Sequence, residues 1–132
     1  MEQFLHQGVM ISRRTAAAIA KGSPVKLDTD PEYVVTSTSS GDAAIIGVTA
    51  DDSVAGGTVN VVIFGIAPVK IQTASGIAVG DLLMNGTSAG KAIEIAAVAG
   101  TNYCCFAKVL VAPGADNDLV SCLINPVGRA QG

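Results

Sequence analysis

Thr58-Val-Asn-Val-Val-Ile-Phe64 is the stretch that decides the fold class. Its β-branched residues and terminal Phe suit a pleated, half-buried surface. Ala55-Gly-Gly57 leads into it, Gly65 follows, and Ala67-Pro-Val-Lys-Ile-Gln-Thr73 opens a second run. Toward the N-terminus lie Pro24-Val-Lys-Leu-Asp28, Tyr33-Val-Val-Thr-Ser-Thr38 and Ala44-Ile-Ile-Gly-Val-Thr49. Toward the C-terminus come Asp81-Leu-Leu-Met84, Ala92-Ile-Glu-Ile-Ala96, Tyr103-Cys-Cys-Phe-Ala-Lys-Val-Leu-Val111 and Leu119-Val-Ser-Cys-Leu-Ile124. Short runs punctuated by Gly, Asn, Asp and Pro predict an all-β fold, a small barrel or sandwich of short antiparallel strands. Its expected core holds Val59, Val61, Ile63, Ile93, Ile95, Val109, Val111 and Leu123, with the residues alternating with them.

Residues 13–21, Arg-Arg-Thr-Ala-Ala-Ala-Ile-Ala-Lys, admit two readings. Ser12 can cap a short helix that the alanines favour. Gly22-Ser23-Pro24 follows at once, however, and an extended path is the reading adopted. Residues 1–12 read as an extended N-terminal arm, ahead of a single β domain over 13–132. The arm's apolar residues Phe4, Leu5, Val9, Met10 and Ile11 show no helical period and no partner strand. They are therefore the candidate contacts to a larger assembly or a neighbouring subunit, and removing residues 1–11 is expected to leave the fold intact.

The chain has 132 residues, enough for one domain with a real core. Charged residues are 14% of it, against the ~25% of an ordinary soluble domain. Hydrophobic residues reach 49%, but only 4% of residues are aromatic, so the apolar content is mostly Ala, Val and Ile. A surface so poor in charge suits a protein largely covered by partners. The net charge of −3 and the scattered Lys and Arg, Arg13-Arg14 excepted, argue against nucleic-acid binding, which needs clustered bases to neutralise phosphates. The same shortage argues against a grip on anionic membranes. No run of 18 apolar residues is present to span a bilayer, and the first residues lack the pattern of a secretory signal. Cys104, Cys105 and Cys122 are an odd set with two adjacent members, a poor disulfide framework, and read as reduced, buried thiols.

Catalytic and cofactor sites are not expected. Gly86-Thr-Ser-Ala-Gly90-Lys91-Ala92 has too short a gap, and no hydroxyl after Lys91, for a phosphate-binding loop; it reads as a turn. Asp116-Asn117-Asp118 lacks the further ligands of a calcium loop. Asp51-Asp52 reads as a solvated turn. His6 is the only histidine, so a histidine metal cluster cannot form within one chain. Cys104 and Cys105 point to opposite faces of a strand and cannot share a metal. The serines of Thr36-Ser-Thr-Ser-Ser40 have no paired base, so no nucleophilic constellation is expected either.

The order of motifs carries a further signal. Thr15-Ala-Ala-Ala-Ile-Ala-Lys-Gly22-Ser-Pro-Val25-Lys-Leu27-Asp28 leads to Ile45-Ile-Gly47-Val48. Then come Ala55-Gly-Gly-Thr-Val59-Asn-Val61, Phe64-Gly65, Ile77-Ala-Val-Gly80-Asp81-Leu82-Leu83, Gly90-Lys91-Ala92 and Phe106-Ala107-Lys108-Val109. Over residues 13–111 this order resembles the small capsid cement, or decoration, proteins of tailed bacteriophages. The resemblance implies a non-enzymatic virion protein, assembled in the host cytoplasm, on the outer surface of an icosahedral head. It implies major capsid protein as partner, self-association as a homotrimer, and no cofactor. The tail beyond Pro113 matches no motif of that family. A small β-barrel carbohydrate-binding or head-fibre-associated module is the alternative. A sugar-binding face favours exposed aromatics, whereas Trp is absent and Tyr occurs only at 33 and 103.

Overall fold

The structure is a computed structural model that describes residues 8–95 and 102–131. Among them the chain forms nine strands and no helix. In order these are β1 (Gly8–Arg14), β2 (Pro24–Leu27), β3 (Val34–Val35), β4 (Ile45–Thr49), β5 (Thr58–Lys70), β6 (Leu82–Asn85), β7 (Ala92–Glu94), β8 (Asn102–Val109) and β9 (Leu119–Gln131). They join one antiparallel sheet in the order β3-β2-β4-β5-β9-β8-β6-β7, with β1 paired to β5, curled into a half-barrel. The all-β reading of the sequence holds.

The deciding stretch is longer than its local pattern shows. The runs on either side of Gly65 are one strand, β5. Gly65 has a φ of +123°, a region closed to most residues with a Cβ, so the strand continues where the glycine reads as a break. Its first half pairs with β1, its second half with β9, and Val61 and Val62 also pair with β4. Successive side chains of a strand point to opposite faces. Val62 accordingly joins the larger core cluster with Val69, Ile71, Leu83, Phe106 and Ile124, and Val61 joins a smaller one with Ile19, Val25, Val34 and Val59. Strand β4 approaches this closely because Gly47 has no side chain: a Cβ there would run into the Val62 carbonyl.

Residues 15–21 form no helix: bends at Ala16-Ala17 and an isolated bridge at Ile19 carry the chain to the turn at Lys21-Gly22. The Thr15 N–H donates to the Gly57 carbonyl, and Ile19 and Ser53 exchange backbone bonds, so this segment is tied to the 53–57 turn instead of to itself. The buried Thr15 hydroxyl adds a bond to the Val54 carbonyl at 3.1 Å.

Two expectations need correction. The boundary drawn at residue 12 falls inside β1, since Gly8–Arg14 pairs along β5. Val9, Met10 and Ile11 thus have a partner strand within the chain, and cutting after residue 11 would strip the first half of β1. Phe4 and Leu5 lie outside the described residues. The second correction concerns the core. Val59, Val61 and Val109 are buried and Ile63, Ile93 and Ile95 are half-buried, but Val111 and Leu123 are exposed. Strand β9 is apolar in both phases, so alternation alone could not choose its inner face. Pairing of Ala67 with Cys122 and Gly65 with Ile124 turns Val120, Cys122 and Ile124 inward and Leu123 outward. Strand β9 also runs on past Asn125-Pro126 to Gln131 along β8, which gives the unassigned tail a place in the sheet.

Asn85 is the buried polar anchor of this arrangement. Its amide nitrogen donates to the carbonyls of Ser37 (3.1 Å), Ser39 (2.9 Å) and Gly86 (3.1 Å), while the Gly41 N–H donates to its backbone carbonyl. The end of β6 is thereby clipped to the 37–41 loop. Asn85→Leu is expected to cost about 1–3 kcal/mol in urea unfolding, because the loop carbonyls lose their donor. Phe106→Ala should cost about 3–5 kcal/mol, and Leu123→Ala, on the outer face, about 1 kcal/mol or less.

Candidate functional site

The outer face of β5, β9 and β8 is unusually apolar. Residues opposed across neighbouring strands share a face. Ile66 lies across from Leu123, which lies across from Lys108; Lys70 lies across from Leu119; Pro68 lies across from Ser121. Leu119, Leu123, Leu110 and Val111 are all exposed. Phe64 continues the row on β5 at 53% exposure, with Val9 of β1 opposite it, also at 53%. Isolated exposed apolar residues are normal, but a run across several strands marks an interaction surface.

A second feature is a groove of about 500 Å³ on the open side of the smaller core cluster. Ile11 and Arg13 of β1, Leu27 of β2, Ile46 of β4, Ile63 of β5 and Pro126 of β9 line it. The Arg13 guanidinium donates through Nη1 to the Ser12 carbonyl at 2.8 Å. Its Nε is buried and donates to no acceptor among the described residues. Arg13 also borders a smaller hollow with Arg14, Pro31 and Glu32. There the Arg14 guanidinium covers the Tyr33 ring at 5.2 Å from its centroid, a cation–π contact.

Of the arm residues singled out in the sequence, Val9 and Met10 are exposed on β1, whereas Ile11 is half-buried in the groove wall. The structure thus separates these three. The sequence reading missed Phe64, Leu119 and Leu110 as surface residues. The available signal was that an apolar run without alternation must expose something when only one face is covered.

The polar motifs serve the turns. Asp118 accepts the N–H groups of Gly114 and Ala115, and Asp116 accepts that of Ala74. Asp52 accepts the Lys21 N–H, and Asp51 accepts from the Asn60 amide. Gly86–Lys91 is the β6–β7 turn, closed by the Gly86 N–H on the Lys91 carbonyl. Among the described residues no three His, Cys, Asp or Glu side chains group as metal ligands. Cys122 is buried and desolvation pushes its thiol up to about 12, so it stays protonated at neutral pH. Asp81 accepts the Ala78 N–H at 2.8 Å, which chiefly lowers its carboxyl, and Asp81 in turn raises that of Glu94.

No protein-family model and no curated protein matches this sequence. The fold does match a solved structure. The head fiber gp8.5 N base of bacteriophage phi29 superposes with a TM-score of 0.66, over 90% of this chain and 95% of that one, at 17% sequence identity. At that identity the likeness is one of fold, and it extends over nearly the whole of both chains.

One carboxylate has a structural role that pH exposes. Asp42 accepts the Ser37 hydroxyl at 2.6 Å, the Ala44 N–H at 2.9 Å and the Lys26 ammonium at 3.1 Å. These donors, Ser37 first, hold its carboxyl below the ordinary range. The folded protein therefore binds this proton less tightly than the unfolded chain. Its stabilisation is present above the ordinary carboxylate range and is lost as pH falls through the lower folded value. Urea unfolding between about pH 5 and pH 2 should show a shallower acid loss in Asp42→Asn than in the wild type.

Proposed function

We propose that this chain is a non-enzymatic structural protein of a bacteriophage head. It binds the outer surface of the icosahedral shell as a cement or decoration protein and strengthens contacts between major capsid protein subunits. The observation that carries this reading is the near full-length fold likeness to the base of a phage head fiber, joined to the order of motifs in the sequence. The apolar outer face supports it: a protein with few charges and an exposed row from Phe64 to Leu119 gains by covering that row. Assembly as a homotrimer fits as well, because three linked copies gripping several shell subunits gain affinity from each added contact.

A second reading, that the domain is the base of a head fibre, is favoured by one specific observation. The match takes in 95% of the phi29 fiber-base chain. A sugar-binding surface has less support, since the ring of Tyr33 is already occupied by Arg14.

Purified protein mixed with expanded, DNA-free heads of the phage tests the proposal. Cement function predicts saturable binding across the shell and a higher temperature of shell disruption, by mass action on the intact form. Binding at a few sites without thermal protection would instead support the fibre base. Heads that take up no protein would overturn both. Phe64→Asp should weaken head binding by about tenfold or more, since it places a charge in an apolar contact.

A further inference from the structure

We infer that the lysine-bearing part of the apolar outer face, around Lys108 and Leu123, docks the acidic turn 28–32 of a second copy of this chain. The inference rests on the self-association in the preceding reading and says which two surfaces meet. Ile66, Leu123, Lys108 and Leu82 lie side by side across β5, β9, β8 and β6. Among the described residues, the charged side chains on these paired rows are Lys108, exposed, and Lys70, half-buried at the end of β5. Both are cations, on a chain whose net charge is −3. Asp81, Asp116 and Asp118, the carboxylates next to this face in sequence, are held by the N–H groups of Ala78, of Ala74, and of Gly114 and Ala115.

Two copies are badly suited to cover this face by meeting like against like. A two-fold contact buries the same patch of both copies. The lysines of both would then share one apolar interface without a carboxylate, and like charges brought together oppose binding. A trimer needs the other kind of contact, in which one patch meets a different one and the rotation closes a ring. The face therefore calls for an apolar patch that carries carboxylates.

The chain presents such a patch where β2 turns into β3. Leu27 and all of Asp28-Thr-Asp-Pro-Glu32 are exposed. The turn is already held in shape: the Asp28 N–H donates to the Tyr33 carbonyl, the Tyr33 N–H donates to the Asp30 carbonyl, and Pro31 fixes one φ. Docking it costs correspondingly little ordering. Its carboxylates have no counter-ion. Among the described residues the ion pair is Lys26 with Asp42, and Arg14, whose N–H meets the Glu32 carbonyl, has its guanidinium over the Tyr33 ring. Asp51-Asp52, by contrast, stands beside Lys21. Phe64 is six residues along β5 from Lys70, about 20 Å at the rise of a strand. The Phe64 end of the face thus stays open for the shell while the Lys108 end meets a neighbour.

The test couples carboxylates to lysines with a carbodiimide. It uses the full-length protein as an equal mixture of unlabelled and nitrogen-15-labelled chains, both free and bound to heads. Mass spectrometry should find Lys108 or Lys70 joined to the peptide carrying residues 28–32, in mixed-isotope pairs. Lys108→Glu should lower the yield of the Lys70 links about tenfold, and Lys108→Gln should lower it less, in the same direction. Asp30→Lys added to Lys108→Glu should restore association, with the coupling reversed: carboxylate on the face, amine on the turn. Circular dichroism checks that each variant keeps its sheet. Single-isotope pairs would place both groups in one chain and overturn the inference. So would the absence of these links in both samples, or an unchanged yield in Lys108→Glu. If the links are missing while the protein sediments as a trimer, this docking fails and the assembly reading stands. If the protein sediments as a monomer and heads do not bind it, the reading beneath it fails too.

Discussion

Val61 and Val62 are neighbours in one strand and both are buried, one on each face of the sheet. A strand with only one covered face would expose one of them. The chain meets this constraint by giving β5 a core on both sides: Val25, Val34 and Ile19 beneath Val61, and the larger cluster around Phe106 beneath Val62. The requirement reaches outward from there. Strand β4 must come close, which Gly47 permits, and β1 and β9 must divide the length of β5 between them. The half-barrel curl follows from a strand of 13 residues that has to serve both clusters.

The same arrangement explains where the surface becomes apolar. The larger cluster is covered by the inward residues of β5, β9 and β8, so their outward neighbours Ile66, Leu119 and Leu123 have no layer over them. The smaller cluster is roofed only in part, and the gap is the groove between β1, β2 and β4. Both features are apolar areas left by an incomplete second layer, and both lie on or beside β5. A protein that presented them to water throughout its life would gain nothing from them. Their place beside β5 sets both apolar areas against the strand that β1, β4 and β9 all pair with.

Polar groups are few and are spent on turns. Asp42 gathers Ser37, Ala44 and Lys26, Asp118 closes the 114–118 loop, and Asn85 fastens β6 to residues 37–41. Each replaces a backbone partner that a loop cannot find within a sheet. This use of carboxylates and amides as staples leaves the described residues organised around packing.

How much of this was legible depends on which interaction sets each feature. The strand content was legible because β-branched runs and turn residues act locally, and β2, β4, β6 and β8 fall where the runs do. The polar turns at Asp51, Gly86 and Asp116 were legible for the same reason. The continuity of β5 through Gly65 was not, since only the surrounding pairings show that a glycine at positive φ carries the strand on. The arm boundary failed similarly: Gly8–Ser12 has no strand pattern of its own and becomes a strand by contact with β5. The inner face of β9 and the groove at Ile11 and Arg13 were also decided in three dimensions. Local sequence determined that this chain is built of short strands and polar turns, because those preferences reside in single residues and their neighbours. Which face of each strand is buried, and which apolar residues are left for a partner, was decided only by the tertiary structure, because burial belongs to pairs of residues far apart in the chain.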